Sequence, residues 1–143
     1  MKTQRIFKVL ILILVVFFTS CRGSQQTKLI SIWEQMTFRE PTEKKTYWQF
    51  YAGDLLEIYQ LDESKTPADT LSIKTYQYDI DGISFNIFPP DGADNSNYGI
   101  ATGDVRGEYW VDELSSDYFK ATRTKHPDGS TEAAYLRIEL VKR

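Results

Sequence analysis

Few residues of this chain have the types and spacing that catalysis or metal binding requires. His126 is the only histidine and directly precedes Pro127, which is typical of an exposed turn rather than of a general base. With no second histidine and no thiol to join it, a zinc site is not expected. Ser-His-Asp catalysis would have to use this turn histidine, and no serine lies in an elbow-like setting. These observations predict that the protein is not an enzyme.

Acidic residues form clusters where solvated charge is the ordinary explanation. Asp62-Glu63 and Asp112-Glu113 fall in or beside predicted turns. The segment Pro89–Gly99 is rich in the hard oxygen ligands that calcium prefers, namely Asp91, Asp94, Asn95 and Asn97. Their spacing is not that of an EF-hand, and the same residue types are good loop formers. We therefore expect no bound metal and no other cofactor.

The first residues of the chain predict where the protein is sent. A basic head with Lys2, Arg5 and Lys8 is followed by the apolar segment Val9–Phe18. This segment is shorter than the roughly 20 apolar residues that a membrane-spanning helix needs, and it is typical of a secretory signal. Cys21, the only cysteine, follows after two small polar residues.

Phe18-Thr19-Ser20-Cys21 resembles the lipobox of bacterial lipoproteins. The resemblance implies a signal peptide at residues 1–20, lipidation of Cys21 with acyl chains such as palmitate, and anchoring to a membrane of the bacterial cell envelope. Residues 21–28 would then be the acylated cysteine and a polar tether. That tether lacks the acidic residues that direct some lipoproteins to the cell surface, which favours a protein that faces the periplasm. The alternative is a plain signal peptide with an incidental cysteine.

The composition after residue 20 limits the classes of partner. The 123 remaining residues are enough for one domain with one core, and they carry 14 Lys and Arg against 20 Asp and Glu, a formal charge of −6. An acidic domain without a basic cluster is a poor partner for phosphate backbones, so nucleic-acid binding is not expected. No disulfide can form within the domain, and its stability must come from packing, to which 17 aromatic residues contribute.

The domain at residues 29–143 shows strand patterns and no helical spacing. Short β-rich runs separated by turn signals predict an all-β fold with eight strands. The predicted strands are Leu29–Phe38, Lys45–Tyr51, Leu55–Leu61, Thr70–Ile80, Ile83–Phe88, Ile100–Val111, Tyr118–Lys125 and Thr131–Val141.

Turn chemistry predicts the register of two hairpins. Asp81-Gly82 suits a two-residue type I′ turn, which would place Tyr78 opposite Phe85 on an apolar face. A two-residue turn between the second and third strands would pair an aromatic residue with a glutamate. A three-residue loop avoids this mismatch and places Trp48 opposite Ile58.

The lengths of the connections alternate along the chain. Tight connections lie around Gly53, Gly82 and Ser115, and longer ones at Arg39–Lys44, Asp62–Asp69 and Pro89–Gly99. Because odd and even connections of a meander lie at opposite ends, we expect a single eight-stranded up-and-down antiparallel barrel with one closed end and one mouth. Leu71 and Ile73 have the opposite parity from Tyr76, which predicts a bulge near Lys74–Thr75.

Eight strands in this order, with a tryptophan in the first, resemble the lipocalin-like (calycin-type) barrels of bacterial lipoproteins. Ser31-Ile32-Trp33 lies where lipocalins carry Gly-x-Trp. Trp48–Asp54 and Tyr109–Phe119 are also similar to hairpins of that group. The resemblance implies a domain that binds a small apolar ligand, and we expect it to be a monomer.

Inward-facing positions near the mouth supply candidate ligand contacts: Trp48, Ile58, Gln60, Tyr76 and Arg123. An unpaired guanidinium inside a barrel would be costly, so Arg123 must reach solvent, pair with a carboxylate or meet an anionic ligand. An eight-stranded barrel is just wide enough to be filled by side chains or to hold one small ligand. Two functions therefore stay open: a carrier of a small, partly apolar molecule, or a protein-interaction module, such as an inhibitor of an envelope enzyme, with a filled interior.

Overall fold

Eight strands follow one another in chain order around a closed antiparallel barrel, which confirms the predicted up-and-down meander. The computed structural model describes residues 23–36, 43–90, 104–131 and 136–143. Pairing of the first strand with the last, with Trp33 opposite Lys142, closes the barrel. The strands are β1 (Ser31–Gln35), β2 (Lys44–Phe50), β3 (Leu55–Asp62), β4 (Asp69–Asp81), β5 (Ser84–Phe88), β6 (Gly107–Leu114), β7 (Tyr118–Lys125) and β8 (Arg137–Lys142).

Several sequence-based predictions concern residues outside these ranges. The predicted signal peptide with Cys21 lies outside the described residues, and so do the four oxygen-bearing residues considered for calcium, Asp91, Asp94, Asn95 and Asn97. The strands β1, β6 and β8 begin later than predicted. Leu29 belongs to a helix, and the Arg123 side chain donates to the carbonyls of Asp104 and Arg106 just before β6 begins at Gly107.

The β2–β3 hairpin has the predicted register. Trp48 lies opposite Ile58 and Phe50 opposite Leu56, and three residues join the strands. Two of these, Gly53 with a φ of 88° and Asp54 with a φ of 65°, occupy the left-handed region. Glycine adopts that conformation without steric cost, and aspartate tolerates it better than most residues, so the loop sequence suits its geometry.

The turn of the β4–β5 hairpin lies one residue later than its sequence suggests, which shifts the pairing across the strands by two residues, so that Tyr78 lies opposite Ile87 and not Phe85. Asp81 pairs with Ser84 and Ile80 with Phe85, so the turn residues are Gly82 and Ile83 rather than Asp81-Gly82. Gly82 has a φ of 61° and occupies the first central position, the place where a type II′ turn requires glycine. A shift of two residues keeps the side chains within the two strands on their predicted faces, but Ile83 lies in the turn and is 56% exposed instead of facing inward.

The irregularity in β4 also lies elsewhere than predicted. Ser72 pairs with Gln60 and Thr70 with Leu61, so the extra residue is Leu71 and the bulge is not at Lys74–Thr75. The ladder from residue 72 to the end of β4 is regular. Ile73 therefore points outward, where its side chain is 62% exposed. As a consequence, Lys74 shares the inward face with the tyrosines that follow it.

Aromatic side chains fill the half of the barrel near the tight turns. Phe85 lies at the centre, with its ring centroid 5.2 Å from that of Phe119 in a T-shaped contact and 5.8 Å from that of Tyr109. Phe50 and Tyr78 form a second T-shaped pair at 5.1 Å. Buried aromatic pairs of this geometry contribute about 0.5–1.5 kcal/mol each beyond the burial of their area.

A short helix, α1 (residues 23–29), covers the closed end of the barrel. The side-chain amide of Gln25 donates to the carbonyl of Gly82 and accepts from its N–H, both at 2.8 Å. Leu29 is fully buried, and the indole N–H of Trp33 donates to its carbonyl at 2.8 Å. The segment expected to be a polar tether is thus mostly helical and docked. In the described ranges, no helix has the length and apolar character needed to span a membrane.

Candidate ligand cavity at the barrel mouth

The interior opens into a cavity of about 350 Å³ at the end opposite α1. It lies above the aromatic core, where the strand ends diverge into the longer connections. Its apolar surface comes from Ile58, Tyr76, Val105 and Leu136, and polar groups come from Gln35, Thr46, Gln60, Ser72, Lys74 and Asp104. Tyr59 completes the lining. Among the described residues, side chains therefore fill one end of the barrel and leave a cavity at the other.

Three of the five residues proposed as ligand contacts line this cavity: Ile58, Gln60 and Tyr76. Trp48 does not line it. Its ring is fully buried below the cavity, and the indole N–H donates to the side-chain oxygen of Gln35 at 2.9 Å. Trp48 therefore supports the cavity through a side chain that does line it.

Arg123, the fifth candidate, acts behind the cavity wall. One of its guanidinium nitrogens, Nη1, donates to the carbonyl of Asp104 at 2.7 Å and to that of Arg106 at 3.3 Å. These bonds hold the segment that precedes β6 against β7, and this segment brings Asp104 and Val105 to the cavity. Nη1 of Arg123 thus has two backbone carbonyls as acceptors, which are partners that the sequence analysis did not consider.

Close approach of β6 and β7 at this place requires a glycine. Gly107 has a φ of 134°, and a Cβ atom there would lie 2.3 Å from the carbonyl oxygen of Lys125 and 3.1 Å from Cδ of Arg123. Any side chain at this position would push the two strands apart. The glycine consequently permits the contact of Arg123 with the carbonyls that precede it.

Asp104 is the one carboxylate among the described residues of the cavity wall, and Arg106 neutralises it. The Arg106 Nη2 and Nε groups donate to its two oxygens at 2.6 Å and 2.9 Å. Burial alone would raise the pKa of Asp104, but hydrogen bonds from the side chain and backbone of Arg106 lower it below its usual value. Asp104 is therefore ionised at neutral pH, and its charge is balanced by a bidentate partner.

Lys74 is the functional candidate that the sequence-based reasoning missed. It lies opposite Ile58 and lines the cavity. Within the described part of the chain, its Nζ atom makes no hydrogen bond or ion pair. The predicted bulge at Lys74–Thr75 left it undetermined whether this side chain points inward. Counting back in steps of two from Tyr78 and Tyr76 would have placed it on the inward face.

Other titratable residues do not assemble a second centre in the described ranges, where no three His, Cys, Asp or Glu side chains could hold a metal ion. His126 lies at a hairpin turn, and its backbone N–H donates to the carbonyl of Ser130. Comparisons with protein families, with curated proteins and with solved structures found no match for this chain.

Proposed function

We propose that this protein is a lipid-anchored, non-enzymatic barrel of the bacterial cell envelope that binds a small, partly apolar molecule at its mouth. The observation that carries the proposal is the cavity of about 350 Å³, which lies in the size range of small-molecule sites. Such sites combine apolar walls with a few convergent polar groups. The mouth cavity has this composition.

The arrangement of the aromatic residues supports a carrier more than a protein-interaction module. The second function would suit a barrel whose side chains fill the interior up to the mouth. Here the large rings of Phe50, Tyr78 and Phe85 lie toward the closed end, and smaller or polar side chains surround the mouth. The mouth retains space that a small ligand can occupy.

A retained molecule can be sought directly. The acylated protein, purified with its anchor, should release a small molecule in native mass spectrometry. Ile58→Trp, which adds a large ring to the cavity wall, should abolish this retention while the circular dichroism spectrum stays unchanged. Retention that is unaffected by Ile58→Trp would contradict the proposed place of binding. A failure of every small amphiphile tested to bind would contradict the function.

Lipid anchoring has its own test. Two acyl chains on Cys21 give stable attachment to a membrane, whereas one chain gives only marginal binding. Cys21→Ser should therefore move the protein from the membrane fraction to the soluble fraction. A wild-type protein that is already soluble without detergent would contradict the anchor.

A further inference from the structure

We infer that the ligand of the mouth cavity is a small amphiphilic anion whose charged group pairs with Lys74. The inference rests on the proposed function and narrows it to one chemical class. It is based on the position of Lys74 in the cavity wall and on the pairing of the one described carboxylate of that wall, Asp104, with Arg106.

The regular part of β4 places Lys74 among the residues that line the cavity, where its side chain is still exposed to solvent. The bulge at Leu71 lies farther along the strand, toward the mouth, so the alternation from Ser72 through Lys74 to Tyr76 is unbroken. Gln60 lies opposite Ser72 on the neighbouring strand. Ser72 and Gln60 line the same cavity as Lys74, and a hydroxyl and a side-chain amide can both donate hydrogen bonds to an anion.

Among the described residues that line the cavity, one positive charge has no carboxylate partner. Asp104 is already paired with Arg106 through a bidentate contact. Lys74 is left as the cation of the described wall that no carboxylate neutralises. The net charge of the described lining residues is therefore the positive charge of Lys74, with Asp104 and Arg106 neutral as a pair, although the chain as a whole has a formal net charge of −3.

The positive charge of Lys74 favours an anionic ligand over a neutral or a cationic one. In the empty cavity, water solvates the ammonium group of Lys74. A neutral apolar ligand would displace that water and leave the charge uncompensated, which is unfavourable. A cationic ligand would also be repelled. An anion replaces the lost water with a charge-assisted hydrogen bond, and the walls formed by Ile58 and Leu136 can cover an apolar body.

The volume limits the size of that body. A cavity of about 350 Å³ corresponds to on the order of ten water-sized groups. Octanoate and 1-octanol are therefore suitable probes, because they have similar chains and differ in charge. Isothermal titration of the acylated protein in lipid nanodiscs, with empty nanodiscs as the reference, would compare their affinities.

We expect octanoate to bind roughly tenfold more tightly than 1-octanol, as one compensated charge can contribute. Lys74→Met keeps the length of the side chain and removes the charge, and it should abolish this preference by weakening octanoate alone. Lys120→Met is the control, because Lys120 lies on the outer face beside Glu139. It should change neither affinity.

Two other outcomes have different meanings. If octanoate and 1-octanol bind equally to the wild type and to Lys74→Met, the anionic class is wrong and the proposed carrier function stands. If neither probe nor any other small amphiphile binds to the wild type, both the inference and the proposed function fail.

Discussion

Arg123 shows that an arginine on the inward face of a barrel can donate hydrogen bonds to the backbone of a neighbouring segment. Its guanidinium donates to two backbone carbonyls, those of Asp104 and Arg106, and so fixes the segment that carries part of the cavity wall. The sequence indicates that an inward arginine needs a partner but not which one. Backbone carbonyls of a loop are partners that residue types do not reveal, because every residue has one.

Removal of the buried indole below the cavity should be costly. Trp48 is fully buried, and Trp48→Ala should lower the free energy of unfolding by about 3–5 kcal/mol. Trp110 is 52% exposed, so Trp110→Ala should lower it by less than about 1 kcal/mol. Urea unfolding curves of the two variants provide the comparison. Equal losses would show that the assigned faces of β2 and β6 are wrong.

Tyr78 should make the fold sensitive to alkaline pH. Burial raises its pKa from about 10 to about 12, with a further contribution from the charge of Asp54. The unfolded chain therefore loses this proton first as the pH rises. The stability that Tyr78 contributes is complete below pH 10 and is lost as the pH approaches 12.

Tyr78→Phe tests this dependence. The variant should show a smaller fall in the free energy of unfolding between pH 10 and pH 12 than the wild type does, because it has no phenol to ionise. Urea unfolding at several pH values in this window measures both slopes. Identical slopes would mean that Tyr78 does not hold its proton more tightly in the folded state.

At the scale of the elements, turn chemistry predicts which side chains point inward more reliably than it predicts which residues pair across neighbouring strands. The β2–β3 loop has one solution that avoids pairing an aromatic residue with a glutamate, and its register was correct. Gly82 could serve as the second residue of a type I′ turn or as the first of a type II′ turn, and both place the same residues inward. The predicted position of the bulge, Lys74–Thr75, was wrong, and the extra residue is Leu71. The alternation of side chains shows that the inward positions switch from odd to even residues, but it does not show at which residue they switch.

The helix α1 was not predicted, because a seven-residue segment with one apolar residue in its last turn has no helical periodicity. Tertiary contacts stabilise it, among them burial of Leu29, the contact of Gln26 with Asp54 and the two hydrogen bonds between Gln25 and Gly82. Gln25→Ala should therefore weaken the docking of the helix on the barrel. The indole N–H of Trp33, which donates to Leu29, should then exchange with solvent roughly tenfold faster.

Hydrogen exchange followed by NMR measures this effect at a single proton. Ser24→Ala is the matched control, because Ser24 is exposed in the same helix. It should leave the exchange of the Trp33 indole proton unchanged. If Gln25→Ala also leaves the exchange rate of this proton unchanged, the docking of α1 does not depend on the hydrogen bonds between Gln25 and Gly82.

At the scale of the whole molecule, the alternation of loop lengths predicted a barrel with one closed end and one mouth, and the topology confirms the meander. The cavity itself could not be predicted. Its existence depends on how far the aromatic side chains extend along the barrel axis, and inward parity alone does not determine that distance. Ile58, Gln60 and Tyr76 were identified because they combine inward parity with places near the long connections.

Docking of α1 also predicts the orientation of the barrel. Gln25 is held at Gly82, and the four residues from Cys21 to Gln25 can span at most about 14 Å. A lipid on Cys21 would therefore keep the closed end near the bilayer and direct the mouth away from it. The ligand would enter from the aqueous compartment.

Spin labels at two turns can measure this orientation in the acylated protein. Ile83→Cys places a label beside the Gln25 contact, and Asp128→Cys places one in the turn between β7 and β8, at the mouth end. The label at position 83 should lie closer to the lipid headgroups. Equal depths or the reverse order would contradict the orientation.

The central claim is that a small molecule occupies the cavity at the mouth, and mapping of amide chemical shifts during a titration with octanoate tests it most directly. The account predicts that the largest changes occur at Ile58, Gln60 and Lys74, and that the amides around Phe85 and Trp110 change little. Changes centred on the outer face near Trp110, or no saturable change at the cavity residues, would contradict it.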